Sequence, residues 1–538
     1  MRKPATAVVA VFVISIFWFG LNVEHSGIAS VYCDPVSSIG TQDEAVYASE
    51  AIEMVMHGGW LTPTYLGRYA LNKPPLLQWL AAISARIFGI SAWALRIPSL
   101  LAAATVTALV FAWVWKRGSP LAGVAAAVLL ASSHFFYTFA RLCMLDMLLT
   151  CWLWSAAFAL MQDPKLARVS SRWIFGACSG AAILTKGAAG FIPLIALLIY
   201  VVIARKDMRP KTNDVLAISL VAAVIALPWH LYQLVLHAPW FIKEYVITQH
   251  FLVGVTAPPQ YSNENHLLFY ARRLFLTDPV LTVTASASLL VVLRKWRRHA
   301  VLLAWSSALV LALFAFRYRS AYYVLPLIPP MAILSGTLIA GLPGRAQVLA
   351  AIAVGAYVVL KVTSASLLWG LQTRTTFQSS APSLENYCRA HRGNGLIIVD
   401  PHDEFYSSAL PLAHVRYVIV SPAPRTISSG PLDFGWLGIS VTVPQFQALT
   451  RWSGIFMARL ASYGITKGDP IATVIWAHSP AEVVQLIESH PEADFSIPET
   501  LEGLPAWRLH AGVPAGAGRV FLFSSVTSPF QPTRACGF

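Results

Sequence analysis

Charge is what this 538-residue chain has least of. Asp, Glu, Lys and Arg make up 12% of it, where a soluble domain carries about 25%. A chain this long with half the usual charge cannot keep a solvated surface around itself. That excludes a soluble globular protein, a soluble nucleic-acid binder, a collagen-like fibre and intrinsic disorder. Acidic residues are the scarcer sign, 25 against 39 basic, so the formal net charge is +14. Cysteine is scarce as well. Six cysteines are too few and too scattered for a disulfide scaffold, no CxxC pair occurs, and no Cys/His cluster has zinc spacing. There is no strand–GxGxxG–helix unit for a nucleotide, no internal repeat and no low-complexity tract.

What is abundant is apolar sequence. Hydrophobic residues reach 56% and the mean hydropathy is +0.60, which describes an integral membrane protein. A bilayer core takes about 20 apolar residues per helix. Eleven candidate spans follow: Ala5–Val23, then 98–115, 120–138, 147–161, 173–185, 188–204, 214–229, 277–293, 299–316, 323–341 and 346–369. The first is long for a signal-peptide core and is taken as a retained anchor. Basic clusters stand at Arg2/Lys3, Lys116/Arg117, Lys165/Arg168/Arg172, Arg205/Lys206/Arg209/Lys211, Arg294/Lys295/Arg297/Arg298 and Arg345. With eleven alternating spans they all fall on one side, the cytoplasm by the positive-inside rule. The apolar segment Pro75–Ser91 contains Gln78 and Arg86; counting it as a span would flip everything after it. It is therefore an interfacial helix on the outer face.

Three pieces are thereby placed outside: a first loop at about 24–97, a loop at about 230–276, and a C-terminal region at 370–538. The tail alternates polar and apolar residues between Gly/Pro turns. It has strand-like runs at Gly395–Asp400 and Val415–Val420 and a helical stretch at Ala481–Ser489, so it is predicted to be a small extracytoplasmic α/β domain. Cys388 and Cys536 flank it and could pair there; Cys143, Cys151 and Cys178 lie by apolar runs as small hydrophobes.

Several charged residues stand where a membrane protein rarely places them. Asp43 and Glu44 are adjacent just past the first span, as a helix N-terminus capped by Thr41 or as a general base. Lys73 precedes Pro74-Pro75, which start an interfacial helix; it either snorkels or holds a lipid phosphate. Asp146 lies at the outer edge of a span, where a charge is costly, and a salt bridge to Arg141 is its bland alternative. Lys186, Arg317 and Arg319 break the positive-inside pattern, and an anionic ligand is a reason to do so. His250 is a weaker candidate, since a lone histidine is more often a structural hydrogen-bonder than a ligand. The charge-based topology nevertheless brings Asp43, Glu44, Lys73, Asp146, Lys186, His250 and Arg319 to one membrane face. Cations there can hold a leaving phosphate while a carboxylate activates a nucleophile.

The run Asp43-Glu44 … Trp60-Leu-Thr-Pro63 … Lys73-Pro-Pro-Leu-Leu-Gln-Trp79 … Phe88-Gly89 … Trp93-Ala-Leu-Arg96-Ile-Pro98 resembles the first outer loop of the GT-C polyprenyl-phosphate-sugar glycosyltransferases. These include the lipid A 4-amino-4-deoxy-L-arabinose transferases and the dolichyl-phosphate-mannose–protein mannosyltransferases. Arg141 … Asp146-Met, Thr185-Lys186-Gly187, Pro228-Trp229, His250-Phe251 and Tyr323-Val-Leu-Pro326 agree with it, so the likeness covers about residues 1–340. It implies a GT-C transmembrane domain, taken over 1–369; the outer α/β domain over 370–538 is read from its own residues and carries no motif of the family. The likeness further implies catalytic roles for Asp43, Glu44 and Asp146, with Asp43 as the base, and donor-phosphate binding by Lys73, Lys186 and Arg319. A divalent metal at His250 is implied together with an acid before the Pro-Pro lysine. Asn72 stands at that acid's position, and a neutral amide is a poor anchor for a hard cation.

The expected protein is an inverting glycosyltransferase of the bacterial inner membrane, its N-terminus cytoplasmic and its C-terminal domain periplasmic. It would move a sugar from a polyprenyl-phosphate donor to lipid A, an envelope glycan or a protein. The alternative from another class is a transporter or flippase for a lipid-linked saccharide, which would need charges inside its spans. An envelope glycan polymerase and a plain membrane anchor are further alternatives.

Overall fold

A computed structural model of the chain describes residues 3–21, 23, 42–65, 68–252, 265–315 and 319–363, with Gln485 and eight strands between 395 and 523. Its first part is almost entirely helical. The order is α1 (Lys3–Gly20), α2 (Gln42–His57), a two-stranded hairpin β1 (Thr64–Tyr65) and β2 (Arg68–Tyr69), α3 (Leu76–Phe88), α4 (Ala92–Arg117), α5 (Pro120–Ala131), α6 (His134–Ala140), α7 (Leu145–Gln162) and α8 (Val169–Lys186). After a 3₁₀ turn at Gly187–Phe191 come α9 (Ile192–Ile203), α10 (Thr212–Leu236), α11 (Ala238–Phe241) and a π-helical run at Ile242–Leu252. Then follow α12 (His266–Thr277), α13 (Pro279–Arg294), α14 (Ala300–Ala315), a 3₁₀ run at Ala321–Leu327, α15 (Ile328–Ala340) and α16 (Gly344–Thr363).

Local sequence explains many of these boundaries. Ser91 has extended backbone and its hydroxyl accepts from Ala94 N at 3.4 Å, starting α4; Lys116 and Arg117 end it against the negative pole of the helix dipole. Ser119 caps α5 in the same way with Pro120 behind it, and Asn265 caps α12. In α8, Gly176 and Gly180 lie one turn apart where α10 crosses. A Cβ on either would come within 2.9 Å of the Ile218 or Ala222 carbonyl oxygen, so only glycine lets the helices approach this closely.

Among the described residues six helical runs are long and apolar enough to cross a membrane: Ala92–Arg117, Leu145–Gln162, Val169–Ile203, Thr212–Leu236, Ala321–Ala340 and Gly344–Val362. The pair α5 and α6, bent by 70°, is a seventh if it forms one broken span. Four shorter apolar helices accompany them, among them α1, α13 and α14. The chain is a multi-pass helical membrane protein. The 35-residue run would be about 52 Å long if straight, well beyond a bilayer core. It folds back instead. Gly187 has φ +52°, and a Cβ on Gly190 would stand 2.2 Å from Ile183 N, although residues seven apart on a straight helix are separated by about 10 Å.

The segment expected to be interfacial is α3. It buries Leu77, Gln78, Ala81 and Ala85 against its neighbours and leaves Ile83, Ile87 and Phe88 exposed.

In the C-terminal region, β3 (Gly395–Val399) and β4 (Arg416–Pro422) pair in parallel where the sequence predicts strands. With β7 (Val474–Ala477), β8 (Asp494–Pro498), β9 (Val513–Pro514) and β10 (Val520–Phe523) they form a mixed sheet of order β7-β4-β3-β8-β10-β9. A separate hairpin joins β5 (Leu432–Phe434) to β6 (Ile439–Val441). The expected helix at 481–489, as well as Cys388 and Cys536, fall outside the described residues, Gln485 apart. Cys143, Cys151 and Cys178 are buried and unpaired.

Candidate active site

Six chain segments converge at one end of the helix bundle: the start of α2, the loop before α3, the start of α7, the end of α8, the π-helical run and the 3₁₀ run before α15. A cavity of about 360 Å³ lies among them. One end of it is polar, lined by Asn72, Lys73, Asp146, Lys186, Gln249 and His250. The rest is aliphatic, built from Ile192 and Ile195 of α9 and Leu309, Ala312 and Leu313 of α14.

Lys186 Nζ stands 2.5 Å from Asp146 Oδ1, with both side chains largely buried. It also lies 4.9 Å from the ring centre of Tyr323 and 5.8 Å from that of Tyr322, so two aromatic faces help hold the ammonium. The salt bridge considered in sequence, Asp146 to Arg141, is not formed. Arg141 donates to the Phe19 and Leu21 carbonyls at 2.9 and 2.5 Å and pins the end of α1, because those helix-end carbonyls need donors.

Lys73 is half-buried on the loop into α3. Burial pushes its ammonium down to about 7; neighbouring Lys186 adds to the fall, and Asp146, Asp43 and Glu50 oppose it. The loop is tied down by Leu71 N, which donates to a Glu244 oxygen at 3.3 Å. Beneath it, Gln78 Nε2 donates to Glu50 Oε2 at 2.5 Å. Burial raises the Glu50 carboxyl to about 8, with Glu53 adding to the rise.

Asp43 is exposed and is not among the residues lining the cavity; the Tyr322 hydroxyl donates to its Oδ2 at 3.4 Å, and it stands close enough to Lys73 to act on its charge. Its neighbour Glu44, also expected to be catalytic, is placed differently. Its side chain is fully buried, its two oxygens accept from Arg96 Nε at 2.7 Å and Arg96 Nη2 at 2.9 Å, and Oε1 also accepts from Cys143 N at 2.8 Å. The helix turns adjacent side chains about 100° apart, so one faces the site and the other the core.

His250, the expected metal ligand, is held by backbone. Its Nε2 accepts from Ala188 N at 3.1 Å, so its Nδ1 bears the hydrogen and donates to the Tyr245 carbonyl at 2.5 Å. Both ring nitrogens are engaged with backbone, and the acid that would share a cation is Asn72. Among the described residues no group of three His, Cys, Asp or Glu side chains could hold a metal. The residues present do not fit a cation at His250. Instead the imidazole clamps the turn after Lys186, packed so close that a Cβ on Gly187 would stand 2.7 Å from both His250 Nε2 and the Tyr245 hydroxyl.

Arg319 is buried beside Tyr270 of α12 and is not among the residues lining the cavity. Arg317 lies outside the described residues. Sequence reading missed Tyr322, Tyr245, Glu50 and Gln78. The first had a signal, an aromatic pair directly before Val-Leu-Pro; the others are ordinary helix residues until the fold brings them together.

An amphipathic cavity with paired cations at its polar end thus lies at one end of this helical array. Solved structures share the fold. The chain aligns with ArnT from Cupriavidus metallidurans bound to undecaprenyl phosphate at a TM-score of 0.63, covering 97% of this chain and 98% of that one at 16% identity. It aligns with the oligosaccharyltransferase AglB from Archaeoglobus fulgidus at 0.50, covering 99% and 76% at 14% identity. Residues 72–232 match the family described as dolichyl-phosphate-mannose-protein mannosyltransferase. The resemblance to GT-C polyprenyl-phosphate-sugar glycosyltransferases read from the sequence is thus borne out. Two relatives named undecaprenyl phosphate-alpha-4-amino-4-deoxy-L-arabinose arabinosyl transferase show the range. The one from Aeromonas salmonicida is 33% identical over 35% of each chain; the one from Erwinia tasmaniensis is 25% identical over 61% of this chain and 62% of its own. The chain thus spans between about a third and three fifths of the length of these curated relatives.

Proposed function

We propose that this protein is an inverting glycosyltransferase of the bacterial inner membrane, taking a sugar from a polyprenyl-phosphate donor to a periplasmic acceptor such as lipid A, an envelope glycan or a protein. The observation that carries the proposal is the cavity itself: Lys73 and Lys186 at one end, an aliphatic wall along the rest. A lipid phosphate has the same two ends. The relatives' names and the undecaprenyl phosphate bound to ArnT support the donor class.

In this reading the two lysines take the donor phosphate. Lys186 exchanges its contact with Asp146 for one with phosphate oxygen, and Asp146 keeps it aimed. Asp43, exposed and near Lys73, accepts the proton of the acceptor hydroxyl as that oxygen attacks the anomeric carbon. The carbon–oxygen bond to phosphate breaks, the bonding pair leaves with polyprenyl phosphate, and the sugar inverts. The lysines hold the charge released. Arg319, behind the cavity, adds positive potential. No step passes through a metal.

The full arrangement proposed is eleven crossings over 1–369 with the N-terminus cytoplasmic, followed by a periplasmic domain over 370–538. The 70° bend between α5 and α6 and the fold-back at Gly187 support counting α5–α6 as one crossing and α8 and α9 as two. The test is transfer by the purified protein from an undecaprenyl-phosphate sugar, beside mass spectrometry of lipid A, envelope glycans and exported proteins from a strain lacking it. Loss of one sugar from one of these identifies donor and acceptor. Full binding of the lipid with movement across the bilayer and no transfer would favour a flippase instead.

A further inference from the structure

The same helices that carry the candidate site line a second, larger cavity at their opposite ends. Along α7 the first cavity touches Asp146 and the second Met161, about 22 Å further on. Along α14 the sequence is Ala308 to Ala315 for the first and Ala300 to Leu302 for the second; the 3₁₀ run before α15 borders the first at Tyr323 to Leu327, and α15 itself borders the second at Ile333 to Ala340. This second cavity has a volume of about 800 Å³.

Its polar lining is cationic. Arg117 comes from the end of α4, Arg205 from the turn after α9, and Lys295, Arg297 and His299 from the connection between α13 and α14. No Asp or Glu is among the lining residues. Asp207 pairs with Arg205 at 3.2 Å where both are well exposed, and the buried Asp163, next to the lining residue Pro164, accepts from Arg168 N at 2.8 Å. Its other walls are apolar and belong to the spans: Trp113, Val292, Leu302, Ile333 and Leu338. Arg117 is pre-positioned, its guanidinium 3.1 Å from the Trp113 ring centre and donating to the Met161 carbonyl at 3.4 Å.

The positive-inside rule accounts for cations on one face, but not for their arrangement. Lys116 and Lys206 sit at the same end of the bundle but outside the lining; they are exposed, as are Arg117, Arg205, Lys295 and Arg297, and what separates the two sets is that only the second borders the hollow. Gathering four permanent charges from separate connections around an apolar-walled hollow raises their mutual repulsion. An anion with a hydrocarbon tail relieves it: phosphate oxygens meet the forked guanidinium donors, and the chains lie against the spans.

We propose that this cavity, on the membrane face opposite the candidate site, is a binding site for the phosphate headgroup of an anionic phospholipid of the surrounding bilayer. The proposal is independent of the reaction at the other end.

The experiment titrates the purified full-length protein in detergent with short-chain phosphatidylglycerol, short-chain phosphatidylcholine and glycerol 3-phosphate, counting bound lipid by native mass spectrometry. Phosphatidylglycerol is expected to bind at least tenfold more tightly than phosphatidylcholine. The combined variant Arg117→Gln, Lys295→Gln, Arg297→Gln is expected to lose that preference, while Lys116→Gln, Lys206→Gln keeps it. If the triple variant does not fold, Lys295→Gln alone is read, with at least threefold weaker binding expected and unchanged binding overturning the site. Equal binding of the two lipids, equal losses in the two combined variants, or glycerol 3-phosphate binding as tightly as phosphatidylglycerol would each overturn it.

Discussion

Asp43 and Glu44 are the same chemistry one residue apart, and their surroundings separate them. Asp43→Asn keeps the shape but cannot take a proton. Turnover is expected to fall by roughly 10²–10⁴ with folding and lipid-phosphate affinity retained, read by transfer kinetics beside a binding titration. Glu44→Gln is expected to act on stability. It leaves the fully buried Arg96 guanidinium without its counter-charge, costing about 3 kcal/mol, read as a lower unfolding midpoint. Lys73 gives a pH signature. With its pKa brought down to about 7 in the empty site, it is mostly uncharged at pH 8, and phosphate favours the charged form. Donor binding above pH 7 therefore takes up a proton, and affinity is expected to fall by up to about tenfold per pH unit there. A phosphodiester donor does not titrate in that range, so the slope belongs to the protein. Lys73→Arg should flatten it; an equal slope in that variant would remove Lys73 from the phosphate site.

At the scale of elements, the turn between α8 and α9 ties the site together. Gly187 lies in the left-handed region with no room for a Cβ beside His250 and Tyr245. Gly187→Ala is expected to lower stability by about 1–3 kcal/mol and to misplace Lys186, seen as weaker donor binding together with a lower unfolding midpoint. Wild-type values for both would show that the turn does not position the lysine. The Thr-Lys-Gly motif was legible in sequence, as were the amphipathic α3 and the parallel strands β3 and β4, because caps, periodicity and turn residues act over a few positions. A third buried ion pair was not legible. Lys361 of α16 pairs with Asp278 at the start of α13, which also accepts from Ser133 Oγ at 2.9 Å and so joins the start of α6 to α13 and α16. Its partners lie more than 80 residues apart, and nothing local marks them.

For the whole molecule, the basic clusters make a simple expectation. Reporter fusions at about residue 118 and about residue 400 should read opposite membrane faces, 118 on the cytoplasmic side. Both reading cytoplasmic would remove the proposed topology and, with it, a periplasmic reaction. The sequence by itself determined that this is a multi-pass membrane protein and which residues are anomalous for one. Those conclusions rest on the cost of charge in hydrocarbon, which composition and spacing already express. Only the tertiary structure decided which anomalies face the cavity. It turned Asp43 outward and Glu44 into an ion pair with Arg96, gave Asp146 to Lys186 rather than Arg141, and filled both nitrogens of His250 with backbone. Partner choice among buried polar groups is settled by which helices touch, and that depends on close approaches, such as Gly176 and Gly180 against α10, between segments far apart in the chain.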